Sequence, residues 1–237
     1  MNKSNLAKWT GILFITGSVL VNIPYTLLIM QFDYPDILRQ PAADILSSFQ
    51  QHSPQIIYIW LAFAWSGLPI LFAIILLHKI VNRQDTPYLW VGTICGVTGA
   101  VTQIIGLLRW VFVVPVLSEA YSNPAAAEAT RQAIAVTFQV VHHYGGVVIG
   151  EHIGQIFTII WIIFVSIVFL KSKIIDRWLG WFGFVTSFIY LLGQSELLAT
   201  VVPSFPVISE AAFIGSVLWL IWMVIIGIYL ISNKTKS

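Results

Sequence analysis

Charge is scarce in this sequence. Asp, Glu, Lys and Arg make up 9% of its 237 residues, against roughly a quarter in soluble domains, which excludes an ordinary water-soluble fold. Cysteine is scarcer still: Cys95 stands alone, so an intrachain disulfide and a thiolate metal cluster are both excluded. Neither H-E-x-x-H nor H-x-x-x-H occurs, which removes the common helical zinc signatures. Gly92, Gly96 and Gly99 follow no strand pattern and read as packing glycines rather than a phosphate cradle. The 12 Lys and Arg residues form no basic patch of the kind nucleic acid requires.

What the chain has in quantity is apolar surface, 58% hydrophobic residues. Six segments, near 9–30, 56–79, 88–116, 147–170, 178–200 and 210–231, are long enough to cross a membrane, since about 20 apolar residues span the hydrocarbon core. Helices are expected throughout, because a backbone crossing lipid must satisfy its own hydrogen bonds. The expected fold is therefore all-α: a single transmembrane domain, 1–237, of six helices, with the lipid bilayer as partner. Lys3 and Lys8 precede a first apolar run that continues to Met30. That run exceeds a signal-peptide core and no A-x-A-like site follows, so it reads as a spanning helix. Trp9, Tyr58, Tyr88, Trp90, Trp178 and Trp181 sit near proposed ends, as interfacial belts do.

Cations set the orientation. Lys3, Lys8, Lys79, Arg83, Lys171, Lys173, Arg177, Lys234 and Lys236 flank one side, and the opposite loops carry only Arg39 and Arg131. The positive-inside rule then places both termini in the cytoplasm. Two outer loops are long. In residues 31–55, PAADILSSFQQ reads as a short surface helix opened by Pro41. In residues 117–146, Asn123 suits a cap and Pro124 a first helical position. Ile134, Phe138 and Val141 share one face there, and Glu128, Gln132 and Gln139 another, which predicts an interfacial helix leading into the fourth span. Gly145-Gly146 marks a bend between them.

Polar residues gather at one depth. Arg109, Glu151, His152 and Gln155 fall in the outer halves of their spans, below His142 and His143, with Gln194 and Glu196 at the same end and Asn22 past the middle of the first span. Glu151, Gln155 and Thr158 follow helical i, i+4, i+7 spacing. An ionisable group facing lipid costs at least about 3 kcal/mol, so these side chains are expected to face one another. Arg109 keeps its charge and needs a partner; Glu151 is the first candidate and Glu196 the second.

HHYGGVVIGEHIGQ, residues 142–155, holds three of the five histidines. A catalytic zinc site keeps three protein ligands and one open position. His142 or His143, with Glu151 and His152, could supply them, which makes a divalent metal such as zinc the candidate cofactor. On a straight α-helix Glu151 and His152 point about 100° apart, so the set depends on a bend at Gly145-Gly146. Two other readings stand beside it. One is a packing seam, with Gly145, Gly146, Gly150 and Gly154 allowing close helix approach; the other is a protonation switch. His52 and His78 read as ordinary surface residues.

Three stretches taken together, GLLRWVFVVP at 106–115, HHYGGVVIGEHIGQ at 142–155 and RWLGWFG at 177–183, resemble an uncharacterised bacterial membrane family, a domain of unknown function. The resemblance implies a bacterial inner-membrane protein of about six helices and carries over no activity. Three function classes follow from the residues themselves. The first is a metal-assisted hydrolase with Glu151 and Arg109 as catalytic candidates. The second binds or transports a small anion or amphiphile, with a pocket of Asn22, Arg109, Gln155, Gln194 and Glu196 and a proton-coupled His-Glu gate. The third is an accessory subunit whose polar residues are structural. Whether the protein is an enzyme stays open among them.

Overall fold

The computed structural model describes residues 3–82, 85–172 and 175–232. All regular elements among these residues are helical, and six helical stretches are long and apolar enough to cross a membrane: Lys3–Phe32, Gln55–Val81, Leu89–Ser122, Glu128–Lys171, Arg177–Ala199 and Ala211–Ser232. The protein is an all-α multi-pass membrane protein. Of the flanking cations, Arg83, Lys173, Lys234 and Lys236 lie outside the described residues.

Helix α1 (Lys3–Leu20) passes through Val21 into α2 (Asn22–Phe32), and a 3-10 segment (Asp36–Arg39) leads to α3 (Ala42–Gln51). Then come α4 (Gln55–Val81), α5 (Leu89–Phe112), α6 (Val114–Ser122) and α7 (Glu128–Val141). A π-helical segment (His142–Ile153) joins α7 to α8 (Gly154–Lys171), followed by α9 (Arg177–Leu192), α10 (Gln194–Ala199) and α11 (Ala211–Ser232).

Pro41 opens α3 as expected, and Asp44 in its first turn suits the positive end of the helix. One local expectation is corrected. Helix α7 starts at Glu128 rather than at Pro124, because the Asn123 carboxamide accepts the Ala125 N–H at 2.9 Å and closes a local turn instead of capping a helix. Hydrogen-bonded helix runs without interruption from Glu128 to Lys171, with Gly145 and Gly146 inside the π segment and its wide i→i+5 turns.

The chain divides into two compact units. The first comprises Met1–Val19, Leu68–Thr102 and His152–Ser237. Its core is built on Phe14, Trp161, Phe169 and Trp222. The Trp222 indole N–H donates to the Leu179 carbonyl at 2.9 Å, so this buried ring carries no unmet donor. The glycines of α5 serve close packing: a Cβ on Gly92 would meet Phe164, one on Gly96 would meet Trp161, and one on Gly99 would meet the Gly154 carbonyl and Thr158. His78 differs from its surface reading. It is buried, with Nδ1 2.8 Å from the Thr93 hydroxyl and its ring against Trp90. As α4 continues beyond it to Val81, the ring falls on the face that packs against α5 rather than at an open end.

The second unit comprises Leu20–Gly67 and Gln103–Glu151. Trp60 and Trp110 stack at 4.8 Å between centroids, and Phe32 and Phe49 close around them. Helix α3 presents Ile45, Leu46 and Phe49 to this cluster, and α7 presents Phe138 with Ile134 behind it, the face its spacing assigns.

Candidate functional site

Arg109, on the last turn of α5, is the unusual residue of the second unit: a guanidinium only 8% exposed in an apolar surround. Glycines make room for it. The α5 backbone approaches the π segment so closely that a Cβ on Gly106 would lie 2.5 Å from the Gly150 Cα. A Cβ on Gly146 would overlap the Arg109 guanidinium itself. Nη1 donates to the Gly106 carbonyl, and Nε is buried with no hydrogen-bond partner. Desolvated donors in that position are costly, about 1–3 kcal/mol each.

Glu151, expected as the partner of Arg109, makes its ion pair elsewhere. Its Oε2 lies 3.4 Å from Nη2 of Arg39, with the two side chains 25% and 34% exposed. The reason is geometric: the 3-10 segment buries Ile37 and Leu38, which brings the following Arg39 to the end of the π segment. Arg109 remains within the field of Glu151, Tyr34 and Arg39. Tyr34 sits among the same groups. Burial, then the Glu151 carboxylate, hold its phenol above the ordinary tyrosine range, so it remains a neutral donor.

His142 packs between Phe138 and Trp110, at 5.3 and 5.9 Å between centroids, and is buried; His143 is exposed. Asn22 is exposed at the first position of α2. In the first unit, His152 Nδ1 lies 2.7 Å from Gln194 Oε1, and the Gln194 amide N–H donates to Gln155 Oε1. That order makes Nδ1 the donating nitrogen of the imidazole. Glu196 is half-buried on α10.

The expected metal set, His142, His143, Glu151 and His152, is not assembled. Among the described residues no three His, Cys, Asp or Glu side chains are placed to hold a metal ion. His142 is packed against rings, Glu151 is engaged by Arg39, and His152 by Gln194. Arg39 and Tyr34 were missed as site residues. The available signal was that Arg39 is one of two cations in loops otherwise bare of positive charge.

A match to the family described as a domain of unknown function, DUF4386, covers residues 9–227. The chain belongs to this family. No curated protein and no solved structure matches it. All the site residues named above lie inside the stretch shared with DUF4386. In this DUF4386 protein Gly146→Ala tests the guanidinium niche directly. The new methyl meets the far end of a flexible side chain rather than backbone, so the fold should survive while Arg109 is pushed out of place. Thermal melting should shift little, and Arg109 should become reactive to phenylglyoxal, a guanidine reagent; a wild-type reactivity pattern would contradict the niche.

Proposed function

We propose that this protein binds an anionic small molecule, or the anionic head of an amphiphile, through Arg109 and Arg39, from the outer side of a bacterial inner membrane. The observation that carries this reading is the buried guanidinium of Arg109. Its Nε has no partner, and the carboxylate nearest in kind, Glu151, pairs with Arg39. Two guanidinium groups therefore act on one carboxylate. A buried cation left with surplus charge is stabilised by an added anion. The distribution of Lys and Arg supports the orientation, with both termini cytoplasmic. The binding reading is preferred to metal-assisted hydrolysis because Glu151 is engaged by Arg39 and His152 by Gln194, and no three candidate ligands among the described residues are placed to hold a metal ion.

The test is melting of the purified protein in neutral detergent with dimethyl phosphate or phosphatidylglycerol added. A ligand at a hundred times its Kd stabilises by about 2.7 kcal/mol. At least one of the two should raise the melting temperature, and Arg39→Gln should remove most of the rise. No response to either would end the proposal. Cysteine substitutions at Ser4 and at Ser122, labelled in intact cells by a membrane-impermeant maleimide, check the orientation; labelling is expected at 122 and not at 4.

A further inference from the structure

We infer that the bound anion is the head of a membrane lipid, reaching Arg109 sideways from the bilayer. This rests on the anion-binding reading above and narrows it to one ligand class. That class is an acyl-chain amphiphile whose head spreads one negative charge over two oxygens, as a phosphodiester does.

The surroundings of Arg109 on its own helix carry the argument. Ile105 and Phe112 lie at i−4 and i+3 from it, on the same face of α5. They are 50% and 68% exposed. On a helix that crosses a membrane, exposed Ile and Phe meet acyl chains. Arg109 thus stands in a lipid-facing stripe, yet its guanidinium turns away from lipid and under the glycines of the π segment. The π segment, which packs on α5 at Gly106 and Arg109, also presents exposed apolar groups, Tyr144 and Val148.

The polar end has a matching arrangement. The buried Nε of Arg109 is an unpartnered donor. Arg39 and Glu151 are partly exposed and lie 3.4 Å apart. The Glu151 carboxylate is engaged by Arg39, so the charge of Arg109 is left for the head to neutralise. Tyr34, kept protonated, adds a neutral donor to the same group. A free anion would gain the charge pairing but leave the apolar stripe untouched. An acyl tail lying against Ile105 and Phe112 uses both.

Lipid binding to the full chain in neutral detergent, followed by native mass spectrometry and melting, decides the matter. The probes are phosphatidylglycerol, phosphatidylcholine and dimethyl phosphate, against wild type, Arg109→Gln and Arg39→Gln. Phosphatidylglycerol should bind wild type at least tenfold more tightly than phosphatidylcholine or dimethyl phosphate. Either variant should lose most of that preference, and Arg39→Gln, partly exposed, serves if Arg109→Gln does not fold. Dimethyl phosphate binding as tightly as the lipid would overturn the lipid inference and leave anion binding standing. No binding of either anion would overturn both. A phosphatidylglycerol preference unchanged in both variants would place the lipid elsewhere on the protein and also overturn the inference.

Discussion

Gly106→Ala is expected to destabilise the protein by about 2 kcal/mol, although alanine is the better helix former. Propensity alone favours alanine by up to about 1 kcal/mol. Overpacking of a close contact costs about 1–3 kcal/mol and sometimes more. Here the added methyl would face the Gly150 Cα at 2.5 Å and the Gly145 carbonyl at 3.1 Å. Both are backbone and cannot swing aside, so the second effect wins. Gly67→Ala is the control, because its Cβ would meet only the side chain of Ile104, at 3.2 Å. Melting in detergent should rank wild type and Gly67→Ala close together and Gly106→Ala well below. Equal stability of the two variants would mean that α5 and the π segment do not touch at Gly150.

Arg109→Met should produce the opposite pattern. A buried charge with an unmet donor is costly, and Glu151 pairs with Arg39 rather than Arg109, so with an apolar side chain of similar length the melting temperature should hold or rise. Anion binding should fall steeply. Truncating one member of a buried, hydrogen-bonded charge pair costs about 2–5 kcal/mol, which is about 30-fold to several thousand-fold in Kd. A cation retained only to fix helix register would behave otherwise: stability would drop and anions would make no difference. Measuring melting and phosphatidylglycerol affinity on the same preparation separates the two roles.

The spans were legible because hydropathy over some 20 residues is a strong signal. The second span, expected near 56–79, is Gln55–Val81. The fourth was expected to begin near 147, yet its helix begins at Glu128. Glu128, Gln132 and Gln139 give that stretch a polar face, so it read as a separate interfacial helix, whereas it is continuous with the span and its other face carries Phe138 into the core. Arg109 and Glu151 stood out in the sequence because ionisable groups are rare at membrane depth. Their true arrangement did not. Arg39 and Glu151 are 112 positions apart, and no local spacing relates them. The i, i+4 rule that grouped Glu151 with Gln155 also assumes an α-helix, whereas Glu151 lies in π geometry that ends at Ile153. Periodicity reads a regular helix well and loses the register wherever the turn widens.

The Gln155–Gln194–His152 chain has a mechanical consequence. The Gln194 carbonyl accepts from Nδ1 of the imidazole, and its amide is committed to Gln155. One side chain at the start of α10 therefore uses both ends of its carboxamide on two residues around the start of α8. The two helix starts, with contacting residues 39 and 42 positions apart in the chain, are pinned together by a single residue.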